Sequence, residues 1–400
     1  MALSAGQTQT RDQQTFRTSA EAVFTHVRVL NERGQFVPDL RRDEFRVLED
    51  DVEQTINFFE RWIGGRSMQQ EVTQAAPETA GLILPPTRAT TDESGRIFII
   101  FIDDLHLQSQ DTPRVRHVLG QIRDTLIHEG DLVGLVSSGY SSISVDLNYD
   151  YGHVRFNESI SKVMGSAPAP SEIVGMPETS EGPQGLRYNA HTAFSLAHDM
   201  LERAAKITNR RKSFIYVSSG YDFNPFEDSR FKIEQQRYGL RDETGQFRND
   251  ITFQSPFEKQ GQQFSDTDLV ADLAHLTRAA RRANVVFYTA DPRGLLAGPD
   301  IDTDLSIQEW TEFAQTSITS LRVLAEETGG FCICNTNDFV GMLERIDAET
   351  SDYYMLGYNS TNPDPLRVRR SVKIEVTREG DYDLFYREEY TLDRSRRRER

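Results

Sequence analysis

From Glu21 the chain alternates apolar and polar positions. Val23, Thr25, Val27 and Val29 fall on one face and Phe24, His26 and Arg28 on the other, the period of a half-buried strand. After the turn NERGQ, the stretch Pro38–Trp62 predicts two more short strands around the acidic turn Glu49–Asp51. Three strands without a helix make a β-rich unit over 21–63 that is too small to stand alone. Residues 1–20 are polar and aperiodic, which predicts a disordered N-terminus or the stub of a signal peptide. Residues 64–95 are rich in Gly, Ser, Thr, Gln and Pro and read as a linker.

The pattern then changes period. Ile97–Ile102 is a continuous apolar run, the mark of a strand covered on both faces. Val115, Val118, Leu119, Ile122 and Leu126 follow at helical spacing, with Asp111 and Thr112 placed to cap and Pro113 in the first turn. DLVGLVSS and SISVDL read as a strand pair, and Ala193, Ala197, Leu201 and Ala204 as a helix. SFIYVSS and NVVFYTA are two further buried strands on either side of a helix at Leu269–Ala280. A helix at Ile318–Leu324, the strand FCIC and a helix at Phe339–Ile346 complete the region 96–349. Such alternation requires a mainly parallel, doubly wound α/β sheet, in which ligands bind at the carboxyl ends of the strands. Over 350–390 the helices stop and three alternating segments return. The expectation is that they complete the N-terminal unit, so that the α/β domain is inserted in a small β-sandwich built from both chain ends. The basic tail 391–400 reads as a solvated end, or as a contact for an anion or acidic partner.

Lys and Arg number 45 against 62 Asp and Glu, a net charge of −17. A surface so acidic repels phosphate backbones and argues against nucleic-acid binding. No run reaches the length of a membrane span. The two cysteines, Cys332 and Cys334, cannot build a disulfide framework or a four-cysteine zinc site. They read most simply as buried thiols, with a C-x-C redox pair as the other reading.

Candidate chemistry clusters where the sheet rule directs attention. The first buried strand ends in Asp103, Asp104 and His106, and another ends in Ser218, Ser219 and Asp222. Thr192, in the segment Asn189–Thr192 read as a helix start, would present a hydroxyl at the same edge. Carboxylates and hydroxyls suit one hard divalent cation (Mg, Ca or Mn), while His106 suits a softer one. The bland reading makes one aspartate a cap and leaves the other solvated. There is no nucleophile elbow, phosphate loop, dinucleotide fingerprint or H-E-x-x-H motif.

The order RIFIIFIDDLH, DLVGLVSSG, the Thr192 segment, RRKSFIYVSSGYD, ANVVFYTADPRGL and LAEETGGFCICN resembles a von Willebrand factor A-type domain. More narrowly, it is similar to the von Willebrand factor A-related proteins abundant in acidobacteria. The flanks HVRVLNERGQFVPDL and YYMLGYNS resemble that group too. The resemblance covers about residues 21–390 and implies a six-stranded sheet with one antiparallel edge and a metal-ion-dependent adhesion site at its top. It also implies a non-enzymatic, exported protein that binds a protein ligand. The family pattern is D-x-S-x-S, a loop threonine and a third-loop aspartate. Here Asp103 matches the first aspartate, Leu105 and Leu107 replace the two serines, Thr192 stands for the threonine, and Ser219 replaces the aspartate, with Asp222 three residues on. The expectation is a degenerate site with no certain cofactor, the rivals being a metal-assisted hydrolase and a scaffold with a dead site. The polar, aromatic-interleaved segment 221–266 is expected to be an insertion that covers this edge or binds the partner.

Overall fold

The computed structural model describes residues 22–72, 96–128, 131–148, 153–176, 183–207, 211–238, 266–296, 298, 305–361 and 369–391. The terminal segment 1–20, most of the 64–95 linker, the later part of the 221–266 insertion and nearly all of the 391–400 tail lie outside them. The first elements are strands β1 (Ala22–Asn31), β2 (Phe45–Glu49), β3 (Val52–Gln54), β4 (Ile56–Ile63) and β5 (Arg66–Val72). The α/β region follows as β6 (Ile97–Ile102), α1 (Thr112–Leu126), β7 (Leu132–Ser137), β8 (Ser144–Asn148), α2 (His153–Lys162), α3 (Pro170–Val174) and α4 (Gln184–Ala205). It continues with β9 (Lys212–Val217), α5 (Glu227–Tyr238), α6 (Asp266–Ala283), β10 (Val285–Ala290), α7 (Ile307–Glu326), β11 (Cys332–Ile333) and α8 (Phe339–Ser351). The chain closes with β12 (Tyr353–Asn359), β13 (Arg369–Val376), β14 (Tyr382–Tyr386) and β15 (Glu389–Thr391).

The α/β sheet has the order β11-β10-β9-β6-β7-β8. Five strands are parallel and β8 runs antiparallel at the edge. All six side chains of β6 are buried because both faces are covered. Ile97, Ile99 and Phe101 enter the core under α4, α6 and α7, and Phe98, Ile100 and Ile102 the core under α1 and α8. Each such side chain contributes about 1.5–3 kcal/mol of burial, which is why an apolar run without alternation folds here as a central strand.

The pairing register decides which residues meet beyond the strand ends. Ile102 lies beside Ser137 and Val217, and Val217 beside Ala290. One residue further on, Asp103, Ser138, Ser218 and Asp291 therefore form a row along the carboxyl edge. The row sits where chain order reverses between β6 and β9, the switch point at which such sheets bind ligands.

The chain ends meet in antiparallel sheets. One has the order β14-β1-β12-β4-β5 and the other β15-β13-β2-β3. Val27, Val29, Val47, Phe59, Tyr354, Leu356, Val372 and Ile374 fill the space between them. β5 extends into what the sequence reads as linker. Its polar composition, RSMQQEV, carries no period-2 signal because β5 is an edge strand that pairs only with β4.

Above the carboxyl edge stands a small cap. Ile173 and Val174 of α3 and Phe226 pack with Ile233 of α5 and with Trp310 and Phe313 of α7. Gly220 fixes how α7 approaches. Its φ is +85°, and a Cβ there would lie 2.1 Å from the Ser317 carbonyl oxygen, so only glycine fits. Since Ser317 is level with the strand ends, the first turns of α7, starting at Ile307, project beyond the sheet. The insertion read from sequence is thus helical over its first part, and α5 is one wall of the cap.

Candidate functional site

Asp103 is fully buried at the end of β6. Its Oδ1 accepts from His106 Nδ1 at 2.9 Å. Its Oδ2 accepts from Ser218 Oγ at 2.9 Å and from Tyr221 OH at 2.6 Å. The Tyr216 hydroxyl in turn donates to that of Tyr221. Burial opposes ionisation of Asp103, but the His106 imidazole and the donated hydrogen bonds outweigh it and hold the carboxyl below its ordinary range. Burial, with Asp103 adjacent, pushes the Tyr216 and Tyr221 hydroxyls well up, so both stay protonated and serve as donors. His106 lies edge-on to Tyr221, with centroids 4.5 Å apart, and Phe194 of α4 packs on the same ring.

Asp104 turns the other way. It is also fully buried, and accepts from Ser138 Oγ at 2.7 Å, from Gly139 N at 2.9 Å and from Ser141 N. It thereby fixes the β7–β8 turn, while its carbonyl accepts from Ser166 N. Of the two sequence readings for this pair, a capping role describes Asp104 and a buried network describes Asp103. Neither carboxylate is solvated.

Thr192 does not join them. α4 begins at Gln184, so the segment read as a helix start is its third turn, and Thr192 Oγ1 donates back to the Tyr188 carbonyl at 2.9 Å. Ser219 lies at the edge, its Oγ buried without a partner among the described residues. Asp222 Oδ1 accepts from Asn224 N at 3.1 Å, bracing its own turn. Asp111, read as a cap, occupies that position without a side-chain cap bond, and Thr112 Oγ1 instead accepts from Gly165 N.

Sequence reasoning assigned no role to Asp291 and Arg293, although both stand in the ADPRGL stretch. Asp291 is fully buried. Arg293 grips it through Nε at 2.9 Å and Nη2 at 2.8 Å, and reaches the Ser219 carbonyl at 2.6 Å. This clamp joins the ends of β9 and β10. The apolar-run rule that located Asp103 also points to Asp291, one residue past β10. Cys332 and Cys334, read as thiols, are joined in a disulfide with a Cα–Cα distance of 5.3 Å.

The side chains expected to hold a divalent cation do not converge on one point. Both oxygens of Asp103 are taken by protein donors, Asp104 faces the β7–β8 turn, and the Thr192 hydroxyl is spent inside its helix. Among the described residues, the three acidic or imidazole side chains whose ligand atoms lie within 4.8 Å of one another are His198, Asp199 and Glu202, on the outside of α4.

No family model matches the chain. No curated protein matches it either. Two solved structures align over 74% of this chain. One is three N-terminal domains of the type V pili tip protein Mfa5 from Porphyromonas gingivalis, at 10% identity over 71% of that chain with a TM-score of 0.33. The other is the manganese-loaded TRAP protein of Plasmodium vivax, at 12% identity over 95% of that chain with a TM-score of 0.30.

What the carboxyl edge does expose is apolar. Tyr140 in the β7–β8 turn is 62% exposed, Tyr188 at the start of α4 58%, Leu295 after β10 57% and Ile307 at the tip of α7 75%. Met164 is also exposed and adjoins that turn through the bond from Ser141 Oγ to its carbonyl. Among the described residues no helix is long and apolar enough to cross a membrane.

Proposed function

We propose that this chain is a non-enzymatic, adhesion-type binding protein of the von Willebrand factor A class, exported from the cell. In this reading its metal-ion-dependent adhesion site is degenerate, and a protein partner docks on the apolar rim of the carboxyl edge without a bridging cation. The observation that carries the reading is the commitment of both Asp103 oxygens to His106, Ser218 and Tyr221. A carboxylate so satisfied gains little from a cation and would have to shed short, charge-assisted bonds to bind one. The exposed Tyr140, Tyr188, Leu295 and Ile307 supply the kind of anchors that protein interfaces use. The strand order with its antiparallel edge supports the class.

The hydrolase reading needs Asp103, Asp104, His106 and Asp222 to aim at one ion at about 2–2.6 Å. It is disfavoured because the three carboxylates serve three separate sets of donors. The test is a comparative capture from the extracellular fraction of the source cells, using wild type, Ile307→Asp and Tyr140→Asp. The expected result is one partner retained equally in EDTA and in Mg²⁺ and lost in both variants. A partner that needs the cation, or that ignores both variants, would overturn the reading.

A further inference from the structure

The loop that carries Leu295 on the carboxyl edge is held from one side by the chain that follows β11. Leu295 N donates to Asn337 Oδ1 and Leu296 N to Asn335 Oδ1, both at 3.3 Å. Arg114 Nη2 donates to the same Asn337 oxygen at 2.8 Å. Gly294 lets the two loops close on each other. Its φ is +72°, and a Cβ there would lie 2.1 Å from Arg114 Nη2 and 2.5 Å from Asn337 Oδ1. Asn335 turns the chain at a φ of +52°, one residue after Cys334. The position of Leu295 therefore depends on where Cys334 ends β11.

The disulfide sits at this point. Cys332 and Cys334 are two residues apart, with Cα atoms 5.3 Å from each other. An extended strand would hold them about 6.4–6.8 Å apart at its rise per residue, so the bond goes with a shortened chain just where β11 stops. β11 is the edge of its sheet and pairs with β10, Cys332 beside Thr289 and Ile333 beside Ala290. Both cysteines are half-buried on the face covered by α4, α6 and α7, while Ile333 between them is buried on the other face. A bridge that closes three residues removes far less chain entropy from the unfolded state than one that closes a long loop. It therefore adds little as a staple. With two cysteines in the whole chain, the reduced thiols have no third cysteine to pair with, and the bond recloses on itself. A half-exposed bond on an edge strand is of the kind that exchanges rather than the kind that resists reduction.

We propose that Cys332–Cys334 is a redox site that exchanges with an external thiol, and that its oxidised state sets the loop bearing Leu295. A thiolate of the reductant attacks one sulfur, forming a mixed disulfide and releasing the other cysteine as a thiolate that takes up a proton. A second reductant thiol attacks the reductant's own sulfur, frees the remaining cysteine and departs as the reductant's disulfide. Two electrons and two protons thus pass to the chain. Without the bond Cys334 relaxes toward extended spacing, and Asn335 and Asn337 move with it, away from the Leu295 and Leu296 amides. The exchange stands by itself, whereas its consequence for binding rests on the docking reading of the rim.

The test uses the folded full chain in mixtures of reduced and oxidised glutathione, with thiols trapped by alkylation and counted by mass. The expected result is a reversible gain of two thiols with a single midpoint inside the glutathione range. Amide hydrogen exchange of a peptide containing Leu295 and Leu296 is expected to run about tenfold faster in the reduced protein, and in Cys332→Ser/Cys334→Ser, than in the oxidised protein. A pair that stays oxidised in reduced glutathione until urea unfolds the chain is a structural staple and overturns the proposal. So does a pair that stays reduced in oxidised glutathione, and so does equal amide exchange in the two redox states. The reduced wild type carries the comparison if the double variant fails to fold. These readouts need no partner, so a failure here is distinct from a failure of the docking reading, which capture alone decides.

Discussion

At the carboxyl edge of the central sheet Asp103, Asp104 and Asp291 are wholly buried, and each finds donors in its own neighbourhood. At the amino edge Arg28 lies among Glu349, Arg211 and Asp352, while the buried Lys212 ammonium meets only the carbonyls of Ala204 and Ile207 among the described residues. The two ends of one sheet therefore meet buried charge by different means. Fold rules direct attention to the first end, because parallel strands deliver chain reversals and polar loops there. Yet both Asp103 oxygens at the carboxyl end are committed to protein donors, whereas at the amino end the Lys212 ammonium is met by carbonyls alone among the described residues. Position in a fold locates where a site can be built, and the state of the hydrogen bonds decides whether one is open.

The amino edge also holds a counter-example, Arg96. It is 1% exposed and bonds Asp131, Asp347, Thr350, Ser351 and the Leu126 carbonyl. Arg96→Met leaves Asp131 buried without its cation and is expected to cost about 3–5 kcal/mol by chemical denaturation. A loss below about 1 kcal/mol would break the distinction between paired and unpaired cations at this edge.

Two pH limbs report the unpaired groups. His26 has its folded pKa lowered to about 3 from 6.5. Its contribution is therefore full above pH 6.5 and is lost as pH falls toward 3. Lys212 is lowered to about 8 from 10.5, so stability rises between pH 8 and 10.5 as the unfolded chain alone stays protonated. At about 1.4 kcal/mol per unit, the acid limb amounts to about 5 kcal/mol and the alkaline limb to about 3 kcal/mol. Denaturation midpoints against pH should lose the acid limb in His26→Gln and the alkaline rise in Lys212→Met. Unchanged profiles would mean that these side chains are solvated.

Asp103→Asn probes the saturated end. It retains the shape but removes the charge that makes three bonds strong, and is expected to cost about 2 kcal/mol with no change in cation response. Ile307→Asp, on a side chain 75% exposed, should alter stability by less than about 0.5 kcal/mol while removing partner capture.

The α/β architecture was legible because buried parallel strands announce themselves as apolar runs, Ile97–Ile102 throughout and β9 from Phe214 to Val217. Edge and cap elements were not. β5, RSMQQEV, is mostly polar, and α5, EDSRFKIEQQRY, has few apolar residues of its own, Ile233 packing with those of α3 and α7. α2 went unread, although Phe156 and Ile160 within it and Val163 just past it recur at helical spacing and pack in the core. Asp103, Asp104 and Ser218 were correctly placed at one edge, but their partners depend on side-chain direction, which spacing does not encode. Thr192 was misplaced because α4 starts two turns earlier than its apolar spacing suggests.

The most direct measurement is calorimetric titration of Mn²⁺ into EDTA-stripped wild-type protein, with Asp103→Asn in parallel. The expected result is no saturable heat assignable to Asp103, the two proteins giving the same trace. Saturable binding in the wild type that disappears in Asp103→Asn would contradict the sealed carboxyl edge and restore a working cation site there.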